Sequence, residues 1–492
     1  MEPRPYQLNA AKAILENGNS LLVMPTAMGK TLVAILVARE KISQGKILFL
    51  APTKPLAIQQ ARALEELGKV VLVTGETPPA QRAELYEDAK VLCGTPQCIE
   101  NDLLARRLNL EDFSLIVFDE AHRAVGNYAY AFIGKQAAKT SALVLGLTAS
   151  PSSNKEKLRE ICGALGVRHV EVRRRGDKDV KEFDKPVRVD REFVDLPKPF
   201  ALLRRSLNEL LKESLEFLKD KGFLASSDVD KAHKKNLLAA RGVIASRMPH
   251  ADAYKALSEL ARAMNLVHAI DLLESQGVGA LRSFLKDMEA RPKKSKAVQR
   301  LLSDSRVQEI AKACDNLSAA GVEHPKLKRL KEVVAYEAGR GSSVMVFAHY
   351  RNSVSQILRE LNSLAGVNAK ALVGRSKEGM TQKEQAQVLD EFRAKEFNVL
   401  VATRVGEEGL DVPAVDLVIF YEAVPSEIRL IQRRGRAGRV RAGRALMLVT
   451  RGTKDEGFYW IAQQKERRMH AQLDELKREL TANKGQKNLG DY

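Results

Sequence analysis

The sequence predicts an α/β protein: two parallel-sheet domains with an all-helical domain inserted between them. Short apolar runs alternate with helical patterns from about residue 20 to 194, and the same alternation resumes near residue 344. Between about 199 and 323 the apolar spacing turns helical. Strands buried on both faces read as continuous apolar runs, and strands separated by helices form parallel sheets. At 492 residues the chain is also longer than one core supports, so at least two domains are required.

The first set of strands runs through Leu21–Val23, Lys46–Leu50, Val70–Val73, Val91–Cys93, Leu115–Phe118 and Leu143–Leu147. The helical segment repeats Leu203, Leu207, Leu210, Leu211, Leu215 and Leu218, then Tyr254, Leu257, Leu260, Met264 and Val267, at the spacing of one helix face. The second set runs through Val344–Phe347, Asn398–Val401, Leu417–Phe420 and Ala445–Val449. The first lobe is placed at residues 1–197, the insert at 198–324, the second lobe at 325–460, and a polar C-terminal helix with a tail or linker at 461–492. Gly176–Lys185 and Gly321–Pro325 read as linkers flanking the insert.

Composition narrows the partner. Lys and Arg number 80 against 62 Asp and Glu, a formal charge of +18, which suits a polyanion. Within residues 201–330 the balance is 24 against 16, or +8, with a local run Lys293, Lys294 and Lys296. That run is either a nucleic-acid grip or a solvated face. One Trp and 5% aromatics point to phosphate contacts rather than base stacking. The cysteines 93, 98, 162 and 314 have no metal-ligand spacing and read as reduced, buried thiols. No apolar stretch reaches the roughly 18 residues of a membrane span, and the N-terminus has no secretion signal, so an intracellular, cytoplasmic protein is expected.

Three motifs carry chemistry. Pro25, Thr26, Ala27, Met28, Gly29, Lys30 and Thr31 follow a strand and open a helix, the context of a phosphate loop: backbone N–H groups cradle phosphates, Lys30 reaches the β/γ-phosphates and Thr31 holds Mg²⁺. Met24 stands where the strict pattern has its first glycine, and Ala27 where another is common. Asp119 and Glu120 end a buried strand, so one carboxylate can serve the metal and its neighbour can activate water. Arg436 and Arg439, three residues apart in an arginine-rich stretch, can point the same way on a helical turn towards phosphate charge. The whole stretch, from Arg429 to Arg444, could instead contact nucleic acid.

The phosphate loop, Asp119-Glu120-Ala121-His122, Thr148-Ala149-Ser150 and Gln432–Arg439, in that order, resemble the superfamily 2 helicases. Ala51–Leu56, Gly94–Gln97, His324-Pro325-Lys326 and Ala402–Pro413 look like the narrower group of the archaeal Hef helicase and the Fanconi anaemia group M translocase. The resemblance spans both lobes and the position of the insert, and implies RecA-like lobes, ATP as substrate and Mg²⁺ as its metal. It implies that Gln7 reads the adenine edge, that Asp119 binds metal and that Glu120 is the base. Gln432, Arg436 and Arg439 would sense the γ-phosphate, with Gly409 and Asp411 on the nucleotide side of the second lobe. Thr53, Lys54, Thr95, Pro96, Gln97 and Thr403 would hold a strand backbone, and Thr148–Ser150 would couple hydrolysis to lobe movement. The expected activity is ATP-dependent translocation or unwinding on branched DNA, such as stalled forks or four-way junctions, in a nucleoid-associated archaeal protein. The alternatives are an RNA-directed motor and an ATP-gated junction clamp. Hef proteins add a nuclease whose acidic motif does not follow Trp460 here, so nuclease activity is not expected of this chain, although a partner nuclease is.

Overall fold

The computed structural model describes residues 2–26, 28–183, 188–246, 251–349, 351–374, 379–403, 412–422 and 444–487. The first lobe holds β1 (Ser20–Val23), β2 (Lys46–Leu50), β3 (Val70–Val73), β4 (Val91–Gly94), β5 (Phe113–Asp119), β6 (Leu143–Thr148) and β7 (His169–Val172). Its helices are α1 (Pro5–Asn17), α2 (Lys30–Lys41), α3 (Lys54–Leu64), α4 (Pro79–Asp88), α5 (Pro96–Leu104), α6 (Ala129–Ala137) and α7 (Lys155–Ala164). The strands pair in the order β3-β4-β2-β5-β6-β1-β7, in parallel throughout. Helices cover both faces, with Val33, Ile47 and Leu115 in one core and Leu48, Ile116 and Ile161 in the other. Both faces of the strands are therefore dry, which is why they read as unbroken apolar runs.

The insert is helical, as expected: α8 (Lys198–Asp220), α9 (Lys234–Ser246), α10 (Ala251–Ser275), α11 (Val278–Glu289), α12 (Lys296–Leu302) and α13 (Ser305–Ala319). Leu203, Leu207, Leu210, Leu211, Leu215 and Leu218 are all buried in its core. Tyr254 is instead 59% exposed. The second lobe has α14 (Pro325–Gly339), β9 (Val344–Phe347), α15 (Arg351–Leu361), β10 (Ala369–Leu372), α16 (Gln382–Arg393), β11 (Val399–Ala402), β12 (Leu417–Phe420) and β13 (Arg444–Thr450).

Three features depart from the sequence reading. The strand β8 (Arg188–Val194), read with the first lobe, pairs in register with β13 from Arg188↔Arg444 to Val194↔Thr450, completing the second sheet as β10-β11-β9-β12-β13-β8. Its partner lies some 256 residues away, beyond the reach of local pattern, and Val189 and Phe193 pack on the second lobe's core. The helix α17 (Lys454–Lys487) starts at the second lobe but docks on the first, burying Met469, Leu473 and Leu476 against Leu158 and Ile161. The expected helix is present, and the residues beyond 487, where a tail or linker is expected, lie outside the described residues. Both expected linkers are also packed: Val180 is fully buried and Phe183 lies against Tyr6, while His324 is 2% exposed.

Candidate nucleotide and nucleic-acid site

In the first sheet β6 lies between β5 and β1, so Thr148 at its end stands between Asp119 and the loop that follows β1. That loop turns into α2 through Gly29, whose φ of +79° is left-handed and whose side a Cβ would push to 2.4 Å from Gln7 Nε2. Glycine is needed there on both counts. Lys30 donates to the Met24 carbonyl at 3.2 Å, and Gln7 Nε2 donates to the Met28 carbonyl at 2.9 Å while its Oε1 accepts from the Arg4 amide at 2.8 Å. These bonds use one of the two Nε2 hydrogens and one Oε1 lone pair, so they orient the amide and leave one donor and one acceptor site for a base edge. Ala27 lies outside the described residues.

Asp119 is 7% exposed at the end of β5 and accepts from Gln60 Nε2 at 3.0 Å and from the Glu120 amide at 3.0 Å. Burial first, and then the neighbouring Glu120 carboxylate, push its carboxyl up to about 7 against the Lys30 ammonium. Burial also acts to raise Glu120, but the His122 hydrogen bond and charge, with Lys30 and Arg123, outweigh it and hold that carboxyl below the ordinary range. Glu120 takes φ +51°, a conformation that a non-glycine residue adopts at a cost of about 1–3 kcal/mol. Arg106 and Lys395 share this conformation, so it is the hydrogen bonding to His122, more than the φ, that singles out Glu120. The donor set fits Mg²⁺, since an acid this short of solvation, beside a second carboxylate, gains from a hard oxygen-seeking cation.

Two functional positions escaped the sequence reading. His122 was quoted within the acidic box but given no task; its Nδ1 lies 3.3 Å from both Glu120 Oε2 and Thr148 Oγ1, joining the base to Thr148–Ser150. Gln60, on α3, supports Asp119 from 59 residues away, and its only sequence signal is an amide at a position of α3 that the apolar spacing turns inward.

Thr53 and Thr95 are the residues before α3 and α5, at the ends of the adjacent strands β2 and β4. Neither side chain caps its helix, and Thr53 Oγ1 is buried without a partner. Two helix N-termini side by side offer backbone N–H groups to an anion. Pro96 is buried at the first turn of α5, Gln97 is exposed, and Lys54 pairs with Glu76. Thr403 follows β11, 8% exposed, with its amide donating to Leu372 O at 3.1 Å. Lys293, Lys294 and Lys296 are exposed around the start of α12. Gly409, Asp411, Gln432, Arg436 and Arg439 lie outside the described residues.

The DEAD/DEAH box helicase family matches residues 4–158, the helicase conserved C-terminal domain residues 325–441, and the helical bundle of a putative ATP-dependent RNA helicase residues 200–322. The crystal structure of the Pyrococcus furiosus Hef helicase domain is similar with a TM-score of 0.73 and 45% identity, over 93% of this chain and 98% of that one. A putative ATP-dependent RNA helicase of Methanocaldococcus jannaschii is 39% identical over 97% of this chain and 61% of its own length. An ATP-dependent DNA helicase of Pyricularia oryzae is 35% identical over 92% of this chain. The chain spans 44% of that fungal protein, so it corresponds to part of such relatives.

Proposed function

The chain belongs to the superfamily 2 helicases of the Hef and Fanconi anaemia group M motor type, and from that premise we propose that it hydrolyses ATP to move along or separate strands of DNA, with branched DNA, as in forks and four-way junctions, its preferred substrate. The observation that carries the reading is the buried Asp119 with the part-buried Glu120, one strand away from Thr148 and two from the Lys30 loop, at the carboxyl ends of neighbouring central strands. Lys30, released from the Met24 carbonyl, takes up phosphate charge. Asp119 and Thr31 would hold Mg²⁺, which would neutralise part of that charge. Glu120 stays ionised at neutral pH and orients and deprotonates the attacking water, with His122 fixing its carboxylate. Because His122 also meets Thr148, a change of charge at Glu120 is felt at the Thr148–Ser150 element. The motif resemblance assigns Arg436, Arg439 and Gln432 to sensing the γ-phosphate, and Gly409 and Asp411 to the nucleotide. Thr53, Thr95 and Thr403 hold the strand backbone without reading sequence. The insert, through Lys293, Lys294 and Lys296, grips the junction.

The charge of +18 supports a nucleic acid, and the DNA helicase named in Pyricularia oryzae supports DNA as the track. RNA is the second reading, favoured by the names printed for the Methanocaldococcus jannaschii relative and for the helical-bundle family. The test is ATPase over forked DNA, single-stranded DNA and double-stranded RNA, for the wild type, Lys30→Ala and Glu120→Gln. Forked DNA should stimulate most, and loss of the base should lower turnover by about 10²–10⁴. Undiminished turnover in Glu120→Gln would overturn the site assignment, and stimulation by double-stranded RNA alone would overturn the choice of DNA.

A further inference from the structure

A cavity of about 810 Å³ opens where the first lobe, the insert and α17 meet. Its floor is the turn after β6, Ser152–Asn154, which leads into α7. Lys155 and Lys157 from α7, Lys235 from α9, and Lys465 and Arg468 from α17 line it, with Glu156 as the one carboxylate among the lining residues. Five cations face one anion. Lys155 spends its charge on Glu475 and Glu479 at 2.5 and 3.2 Å, whereas Lys157, Lys235 and Arg468 are exposed and make no ion pair among the described residues. Gln472, aligned with Lys465 and Arg468 on one face of α17, also lines the cavity, and its buried Oε1 has no partner. Unspent positive charge gathered from three separate parts of the fold, around a concavity with an unsatisfied amide, suits an extended polyanion better than a compact one.

The ends of β4, β2, β5 and β6 stand in a row, with Thr95 and Thr53 on one side of Asp119 and Glu120 and the turn at Ser152 on the other. A nucleic-acid strand at Thr53 therefore reaches the cavity only by passing around the end of β5. We propose that this cavity seats a second stretch of phosphodiester backbone of the same nucleic acid, with Lys157, Lys235 and Arg468 on its phosphates. The proposal rests on the nucleic-acid motor reading and adds a contact surface to which α17 contributes. It makes α17 part of the grip.

The experiment uses the whole chain and a dye-labelled single-stranded DNA 20-mer, with anisotropy recorded from low to moderate salt. The comparison is the wild type against a combined Lys157→Gln, Lys235→Gln and Arg468→Gln variant, with circular dichroism and melting temperature as folding controls. Three lost contacts at about 0.7 each should lower the slope of log K against log salt by about 2 and weaken binding about tenfold or more at low salt. Trp460, the chain's only tryptophan and 53% exposed, lies on α17 about 12 Å before Arg468. Its emission should respond to DNA in the wild type and much less in the variant. A folded variant with wild-type affinity and slope overturns the proposal and leaves the motor reading standing. A wild type that binds no polynucleotide overturns the motor reading itself.

Discussion

Acid should weaken the seam between the insert and the second lobe, and His324 sets by how much. The ring is 2% exposed before α14; its Nε2 lies 2.9 Å from the Glu274 carbonyl of the insert, and its Nδ1 accepts from the Lys326 amide at 3.2 Å. Burial first, then the adjacent Lys326 ammonium, lower its pKa to about 3, against the bond to Glu274. Both contacts fix the neutral tautomer. In the unfolded chain the ring takes a proton below about 6.5, which the folded chain refuses until about 3. The stabilising difference is therefore complete above about 6.5 and shrinks as pH falls, by about 1.36 kcal/mol per unit. Between pH 7 and 5 the loss amounts to about 2 kcal/mol. His324→Asn keeps an acceptor at the helix start but cannot titrate. Urea unfolding at pH 7 and 5 should show the wild type losing about 2 kcal/mol more than the variant over that interval. Equal losses in the two proteins would refute the buried neutral assignment.

Two further outcomes test other parts of the fold. Leu473→Ala removes a fully buried side chain where α17 meets the first lobe; it should cost about 2–5 kcal/mol and speed amide exchange in the second half of α17 and in α7, and unchanged exchange would mean the dock bears no load. Gly29→Ala meets both a left-handed φ and Gln7 Nε2 at 2.4 Å, so it should cost about 1–2 kcal/mol and weaken ATP binding in an equilibrium titration. Wild-type affinity would show that the loop reshapes freely.

The legible parts of the sequence were those whose causes are local. Continuous apolar runs such as Leu115–Phe118 became buried strands because both faces of the sheet are covered, and the Leu203–Leu218 repeat became the dry side of α8. Lys30, Asp119 and Glu120 converge because parallel connections bring strand ends to one edge. What stayed hidden depends on partners far along the chain. The strand β8 looks like a continuation of the first lobe until β13 is present to receive it. The seam of α17, Met469, Leu473 and Leu476, is three apolar residues in a helix otherwise crowded with charge, so its average polarity concealed its periodicity. His324 and Lys326 sit in a segment that reads as a turn, although a fully buried lysine needs the Asp455 carboxylate and the Tyr421 carbonyl that only the second lobe supplies.

The two attachments of α17 differ in chemistry, and that difference decides where movement is absorbed. At its root, Lys326 is fully buried against Asp455, the Lys454 amide meets Glu274 at 3.3 Å, Lys454 pairs with Asp271 at 2.7 Å, and Arg204 reaches the Gly452 carbonyl at 2.7 Å. Breaking a buried pair leaves an uncompensated charge, at about 3–5 kcal/mol, so Lys326 and Asp455 join the second lobe firmly to the start of α17, while the insert is tied to that root by several less buried bonds. About 21 Å of helix, from Asp455 to Met469, then carries the chain to the first lobe. There Lys155 pairs with Glu475, Arg159 with Glu479 and Arg174 with Asp474, each with at least one-third of both side chains exposed, and Lys477 approaches the buried Glu171 at 3.9 Å. Exposed pairs of this kind are worth about 0–1 kcal/mol each, leaving Met469, Leu473 and Leu476, with the partly buried Leu480, as the main hold on the far end. Opening between the lobes therefore costs least if the distal half of α17 slides or lifts while its root stays fixed. Since Lys465 and Arg468 lie between root and dock, such a movement would carry them relative to the turn at Ser152 and couple lobe position to the shape of the basic cavity.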